Sequence, residues 1–170
     1  MKKIINYNNI NIDNNKKKNL NINDISLNLN IFDINIQKIY INNIFNQIKN
    51  VDLKFEKLIM REIKNKINSY KHQDIKKDLH DINNIINLND VIQKLILSNL
   101  KCYYCKNDIY LIYENIREKY QWTLDRINNN DAHSNNNTII SCLKCNLERR
   151  RKNSEKFLFS KNLKIDKLSI

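Results

Sequence analysis

The sequence predicts an α+β fold in which a mainly helical region precedes a small strand–loop–strand–helix unit. Apolar residues recur every three or four positions over residues 31–100, which is the period of an amphipathic helix. Short apolar runs at 121–127 and 138–141 are separated by a polar loop and followed by a basic helical segment. Two C-x2-C pairs frame this unit. At 170 residues the chain has the length of one domain with an appendage.

Residues 1–30 are a low-complexity segment. They alternate Asn with Ile or Leu and contain the run Lys16-Lys17-Lys18. The alternation has a period near two and is compatible with a short β arm, but the biased composition favours a poorly ordered segment. We therefore expect the folded part to begin near residue 31.

Three apolar stripes predict the helices of residues 31–100. The first stripe consists of Phe55, Leu58, Ile59, Ile63, Ile67 and Tyr70, the second of Ile75, Leu79, Ile82 and Ile86, and the third of Val91, Ile92, Leu95 and Ile96. Asn89 or Asp90 is the expected N-cap of the third helix. His72 and His80 have no ligand pattern around them, so we expect surface histidines.

Residues 101–156 are expected to form the functional module and residues 157–170 to cover it. The apolar residues of the cover segment are Phe157, Phe159, Leu163 and Ile165. The adjoining stretch from Lys144 to Lys164 carries eight basic and two acidic residues. A polyanion is therefore expected to bind near the end of the module.

The net charge of the chain indicates the class of partner. Thirty Lys and Arg residues against eighteen Asp and Glu give a charge of +12, which fits nucleic acid and disfavours a basic partner. An AT-rich coding sequence would explain the absence of Gly and Pro, and it would also explain part of the Lys excess. The run Arg149-Arg150-Arg151 is harder to explain in that way.

Cysteine use and hydropathy predict a soluble intracellular protein with no membrane partner. All four cysteines lie in C-x2-C pairs, which suits a reducing compartment with a metal better than a disulfide scaffold. Asn6, Asn8 and Asn9 interrupt the apolar core that a secretory signal would need. No stretch approaches the roughly 20 apolar residues that span a bilayer.

Cys102, Cys105, Cys142 and Cys145 predict a structural zinc site. Each C-x2-C turn presents two sulfurs from one loop, and two such turns complete a tetrahedral shell. Four thiolates leave no coordination position for water, so the ion would not take part in catalysis. It would instead stabilise the fold in place of a larger hydrophobic core. A redox C-x-x-C pair is the alternative, but it lacks a βαβ context and leaves the second pair unexplained.

The segment from about Lys101 to Lys156 resembles the HNH endonucleases of the ββα-metal group. The resemblance rests on Leu124-Asp125-Arg126-Ile127, then Asn137, and then Cys142, Cys145 and Asn146. It implies a zinc-stapled ββα-metal module that hydrolyses phosphodiester bonds in DNA with Mg²⁺ or a similar cation. One active site per chain would cut one strand, leaving 5′-phosphate and 3′-hydroxyl ends.

The resemblance also implies roles for individual residues. Asp125 and Asn146 would supply carboxylate and amide oxygens to the catalytic Mg²⁺, which prefers oxygen ligands and keeps several waters. Most HNH nucleases have a His base after the Asp, whereas this chain has Arg126, which cannot be deprotonated. His133, in the loop between the strands, is the candidate base. Asn137 would orient the loop or the base, and Ala132 stands where the family usually has Gly.

Four basic residues are expected to contact nucleic acid. They are Arg126, Lys144, Arg149 and Arg150, the last two lying three and four residues beyond Asn146 on the predicted helix. A zinc-bound nucleic-acid-binding module without catalysis is the alternative function. A third hypothesis is a protein-interaction adaptor that uses the helical region.

Overall fold

The computed structural model describes residues 16–20, 25, 29–79, 81 and 84–163. Within these ranges, five helices and a two-stranded antiparallel sheet form an α+β protein. In chain order the elements are α1 (Ile34–Phe45), α2 (Leu53–Lys76), α3 (Leu88–Leu97), β1 (Trp122–Arg126), β2 (Thr138–Cys142), α4 (Leu143–Arg149) and α5 (Ser154–Asn162). None of the described helices is both long enough and apolar enough to cross a bilayer.

Helix α2 follows the longest apolar stripe of the sequence. Asp52 caps it, because the Asp52 carboxylate accepts hydrogen bonds from the backbone N–H groups of Lys54 and Phe55 at 2.8 and 2.9 Å. The inward face of the helix carries Phe55, Ile59 and Ile63, and none of these side chains is exposed. Burial of this face stabilises a helix whose surface side is strongly polar.

In the part of the chain that the structure describes, the second predicted stripe does not form a helix of its own. Ile75 belongs to the last turn of α2, which ends just before Asp78 takes a left-handed φ of 54°. Ile86 is buried outside any helix, and its backbone N–H donates to the carbonyl of His133 at 2.9 Å. Ile82 lies outside the described residues. Apolar spacing therefore overestimated the helical content of the described residues here, because the period of a short apolar run does not by itself distinguish a helix from other buried chain.

The N-cap of α3 is Asn87, not Asn89 or Asp90. The Asn87 side chain accepts from the Asp90 N–H at 2.9 Å, and the Asp90 carboxylate accepts from the Asn87 N–H at 3.2 Å. This reciprocal capping box satisfies two backbone donors at the helix start. Asp90 thus takes part in the cap from the third helical position.

Strands β1 and β2 form a hairpin that is enclosed by helices. Trp122 pairs with Cys142 at one end and Arg126 with Thr138 at the loop end. Every residue of β1 is buried, because α4 packs against one face of the strand and α2 against the other. A strand covered on both faces fixes the side chains that it presents to each helix.

The hydrophobic core is continuous between the helical region and the hairpin. Leu95 and Leu100 belong to the same buried cluster as Tyr104, Trp122 and Leu124. Residues 31–100 and the segment that follows therefore do not have separate hydrophobic cores.

Helix α5 crosses the position at which the expected module ends and the cover segment begins. Phe157 is buried, with its ring 4.9 Å from that of Tyr104 in an edge-to-face contact. Phe159 and Leu163 are exposed, and Ile165 lies outside the described residues. Among the described residues of the cover segment, Phe157 makes the main apolar contact.

The expectation for residues 1–30 falls largely outside the described residues. Lys16 to Leu20 are described, and the first three of these residues lie beside residues 114–116. The carbonyl of Lys16 accepts from the N–H of Ile116 at 3.0 Å, and Lys17 forms an antiparallel bridge with Asn115.

Gln37 fastens α1 to the chain that leads into the hairpin. Its side chain is wholly buried, and the Nε2 group donates to the carbonyls of Ile31 and Ile112 at 2.8 and 2.9 Å. Its Oε1 atom accepts from the N–H groups of Leu111 and Ile112 at 2.7 and 3.2 Å. One amide thus satisfies four backbone groups that have no strand partner at this place.

Replacing Gln37 by Leu should lower the free energy of unfolding by about 2 kcal/mol or more, because buried backbone groups lose their partner. Urea denaturation followed by circular dichroism measures this change. Gln93→Leu on the exposed side of α3 is the matched control and should alter stability by less than about 0.5 kcal/mol. Equal effects of the two substitutions would contradict the assigned role of Gln37.

Candidate functional site

Four cysteine side chains converge where β2 meets α4. Cys142 ends β2 and caps α4, and Cys145 follows within the first turn of that helix. Cys102 and Cys105 belong to the turn after α3. The four sulfur atoms lie within 4.8 Å of one another, and no disulfide joins them. The structure therefore contains a cluster of four sulfur ligands.

The geometry of this cluster is compatible with zinc. A Zn–S bond of about 2.3 Å places two tetrahedral ligands about 3.8 Å apart, and the Sγ atoms of Cys105 and Cys142 are 3.8 Å apart. The Cys142 N–H points at the Cys102 sulfur at 3.2 Å. Hydrogen bonds from the Cys142 and Cys145 thiols lower the pKa of Cys102, and the same contacts raise the pKa of Cys142 and Cys145. Four sulfur ligands would leave a bound Zn²⁺ without a position for water.

A cavity of about 900 Å³ opens at the loop end of the hairpin, beside the last turns of α2 and α4. Five of the residues predicted for the site line it: Asp125, Arg126, His133, Asn146 and Arg150. Lys77, Arg151 and Lys152 add positive charge to its wall. The cavity is therefore basic at its margin and carries a carboxylate, an amide and an imidazole.

The Asp125 carboxylate lies under α4 and is only 3% exposed. Arg149 pairs with it as a fork, through Nε to Oδ2 at 2.6 Å and Nη2 to Oδ1 at 2.8 Å. The Tyr104 hydroxyl donates to Oδ2 at 2.7 Å, and burial raises the pKa of Tyr104 so that it keeps its proton. A carboxylate has about four acceptor positions, so one position remains for a further ligand.

Arg149 is placed differently from the expectation that it contacts phosphates. Its side chain is wholly buried, and besides Asp125 it reaches the carbonyls of Arg126 and Lys152 and the Asn129 side chain. The position three residues beyond Asn146 faces β1 rather than the open cavity. Arg149 therefore holds α4 against the hairpin.

Asn146 reaches the outer edge of β1 from the middle of α4. Its Nδ2 group donates to the Thr123 hydroxyl at 3.2 Å and reaches the Leu124 carbonyl at 3.5 Å. These contacts use the amide nitrogen and leave the amide oxygen for a ligand. Asn146 is half-buried and shares the cavity wall with Asp125.

His133 lies in the loop between the strands, where its side chain is largely buried but lines the cavity. Its Nδ1 atom is 2.7 Å from Oδ1 of Asp74, and its ring lies 4.7 Å from that of Tyr70. Burial lowers the pKa of His133, and the charges of Arg126 and Lys77 lower it further, although Asp74 opposes this change. The imidazole is therefore neutral at pH 7.

The other predicted phosphate-binding residues occupy three different settings. Arg126 is largely buried, with Nη1 donating to the Asp131 carbonyl at 3.0 Å, but it lines the cavity. Arg150 follows the end of α4 at a left-handed φ of 53° and is exposed on the cavity wall. Lys144 is exposed in the first turn of α4 and does not line the cavity.

Asn137 holds the interstrand loop together. Its Nδ2 group donates to the carbonyls of Asn128 and Ala132 at 3.0 and 2.9 Å, and its Oδ1 atom accepts from the Asn128 N–H at 2.9 Å. These bonds fix the backbone immediately before His133. Ala132 is not among the described residues with positive φ, so its position does not require glycine.

Three residues of the site carry no signal in the sequence. Asp74 and Tyr70 lie in α2 and Tyr104 lies between two cysteines, yet they contact His133 and Asp125. Tyr70 reads as one more member of an apolar stripe, and Asp74 as a surface acid near a helix end. Their contacts span 21 to 63 residues, so local pattern could not pair them with the loop or the strand.

Substituting Cys142 by Ser should reduce zinc content from about one ion per chain and lower the melting temperature, because a hydroxyl is a poor zinc ligand. Elemental analysis of purified protein and thermal unfolding measure the two effects. His72→Ala removes an exposed histidine of α2 outside the cluster and should leave both values unchanged. Full zinc occupancy in Cys142→Ser would exclude the four-sulfur site.

Replacing Arg149 by Leu should destabilise the protein by about 3–5 kcal/mol, because it leaves the buried Asp125 carboxylate without its charged partner. Chemical denaturation at neutral pH measures the loss. Arg151→Leu, an exposed neighbour in the same run, is the matched control. A loss below about 1 kcal/mol for Arg149→Leu would show that the fork contributes little.

No protein-family model, no curated protein and no solved structure matches this chain. Its functional assignment therefore rests on the sulfur cluster and on the arrangement of side chains around the cavity.

Proposed function

We propose that this protein is a metal-dependent endonuclease of the HNH kind that hydrolyses phosphodiester bonds in DNA. The observation that carries the proposal is the meeting of Asp125, Asn146 and His133 at one cavity with a basic wall. These residues come from a strand, the following helix and the loop between the strands. The order of elements and the sulfur cluster at the start of the helix agree with the resemblance to ββα-metal nucleases.

The ligand atoms fit a hard divalent cation such as Mg²⁺. Asp125 has one acceptor position beyond the three that Arg149 and Tyr104 use. Asn146 has an amide oxygen that its contacts with β1 do not use. Mg²⁺ often binds through one or two protein oxygens and retains several waters. When bound, the cation would stabilise negative charge on the scissile phosphate and the leaving oxygen.

His133 is the proposed general base. Because Nδ1 lies against the Asp74 carboxylate, Nε2 is the nitrogen that can accept a proton in the neutral imidazole. In the proposed step His133 Nε2 takes a proton from water while the water oxygen bonds to phosphorus. The bond from phosphorus to the 3′ oxygen breaks, and that oxygen takes a proton from solvent. The products are a 5′-phosphate and a 3′-hydroxyl.

The basic wall of the cavity would hold the nucleic-acid backbone. Arg150 is exposed there, and Arg126 lies between the loop and α2 with its backbone in β1. Guanidinium groups bind phosphate oxygens through two parallel N–H bonds, which orients the phosphate as well as attracting it. Lys144 lies outside the cavity and would extend the contact along the surface of α4.

The second candidate function is a zinc-bound nucleic-acid-binding module without catalysis. It is favoured by one observation, the fork between Arg149 and Asp125, because a guanidinium neutralises the carboxylate that would bind the cation. Such a protein would bind DNA in a salt-dependent manner without cutting it.

The purified protein should nick supercoiled plasmid in the presence of Mg²⁺. His133→Ala should reduce the rate about 100-fold or more, because the step loses its base. Asn146→Ala and Asp125→Ala should abolish Mg²⁺-dependent nicking, since each removes an oxygen ligand. Gel analysis of plasmid forms measures the rate, and zinc content shows that each variant remains folded.

His72→Ala, which changes an exposed histidine on α2, should nick at the wild-type rate. Asn146→Ala is the more informative of the two ligand variants, because Asp125→Ala also leaves the buried Arg149 unpaired. The module without catalysis would be favoured if the wild-type protein binds DNA but never nicks it. Asp125→Ala should then leave DNA binding unchanged.

A further inference from the structure

Asp74 holds His133 from the last turn of α2, fifty-nine residues away in sequence. The Asp74 side chain is wholly buried. Its Oδ2 atom accepts from the backbone N–H of His133 at 2.7 Å, and its Oδ1 atom lies 2.7 Å from the ring Nδ1. One carboxylate therefore fixes both the backbone and the ring of the same residue.

Tyr70, one helical turn before Asp74, restricts the same ring from its face. The two rings are 4.7 Å apart and tilted by 33°. The Tyr70 hydroxyl accepts from the backbone N–H of Leu124 at 3.1 Å, which ties this helix turn to β1. The imidazole is thus held at its edge by Asp74 and at its face by Tyr70, while the residue lines the cavity.

The charges around His133 make this contact more than a packing feature. Arg126 Nη1 lies 3.6 Å from Oδ1 of Asp74. Lys77 follows Asp74 by three residues, and its charge also acts on His133. Both cations disfavour the imidazolium, whereas Asp74 favours it. An ionised carboxylate can only accept hydrogen bonds, so a neutral His133 must carry its proton on Nδ1. Its Nε2 atom then carries the lone pair, on a residue that lines the cavity.

We propose that Asp74 is a positioning residue for His133, so that helix α2 of the N-terminal region completes the nuclease site. This inference rests on the proposed function, since it assigns Asp74 to the histidine that serves there as base. Asp74 sets the tautomer and orientation of the ring and stabilises the imidazolium that forms when His133 accepts a proton. The helical region then contributes to the chemistry and not only to the core.

Nitrogen-15 NMR of the wild-type imidazoles tests the contact without any measurement of activity. His133 is assigned among the three histidines of the chain by its absence from spectra of His133→Ala. The neutral form should show a proton on Nδ1 and none on Nε2. A neutral ring with the proton on Nε2 would overturn the positioning role, whatever the protein cleaves.

Asp74→Asn tests the consequence for the reaction. The nicking rate should fall at least about 10-fold, and the acidic limb of the rate profile should move to lower pH. The sign follows because loss of the carboxylate removes the charge that favours imidazolium and leaves Arg126 and Lys77, which lower the pKa of His133. Asp78→Asn makes the same change of charge at an exposed position just after α2 and should shift neither quantity.

The outcomes separate this inference from the proposed function. A wild-type protein that fails to nick DNA overturns the nuclease assignment, while the NMR measurement still decides whether Asp74 sets the tautomer. A wild-type protein that nicks, together with an unshifted profile in Asp74→Asn, overturns the positioning role alone. If Asp74→Asn does not fold, the tautomer of His133 in the wild-type spectrum decides whether Asp74 positions the ring.

Discussion

The convergence of four sulfur atoms is the constraint on which the rest of this structure depends. It joins the turn after α3 to the point where β2 becomes α4. Because Cys142 caps α4 and Cys145 lies in its first turn, the cluster fixes where the helix begins and which face it turns to β1. From that placement Asn146 and Arg149 reach β1. A small protein gains from such a cluster the rigidity that a limited core does not supply.

The fork between Arg149 and Asp125 fixes the position of the carboxylate that the proposed nuclease would use as a metal ligand. A buried carboxylate must be paired, because an isolated charge in the interior is strongly unfavourable. The pairing fixes the carboxylate beside the cavity, but it also shares its charge with a guanidinium. In the proposed nuclease the cation would bind to a carboxylate that is already neutralised in part. In that nuclease the rigid placement of the carboxylate would be accompanied by some loss of affinity for the metal.

The helical region is part of the site as well as of the core. Trp122 and Leu124 of β1 pack in one cluster with the residues of α2 and α3. Helix α2 also places Asp74 at His133. Apolar periodicity predicted α2 and the third helix with their buried faces, since burial of an amphipathic stripe follows directly from local spacing. It could not predict that Ile85 and Ile86 lie outside a helix, because their position is set by a bridge to Ser134 and a backbone bond to the His133 carbonyl.

By itself the sequence determined the α+β class, the long helix α2, the hairpin with its following helix and the four-cysteine cluster. Each of these follows from local spacing or from residue types that have few alternative uses. The tertiary structure alone decided that Arg149 points inward to Asp125, that Arg150 remains exposed at the cavity, and that Asp74 and Tyr70 hold His133. The physical reason is that a charged side chain finds its partner through the packing of distant elements. Spacing along one helix predicts the face on which a residue lies, but it does not predict which residues of other elements pack against that face.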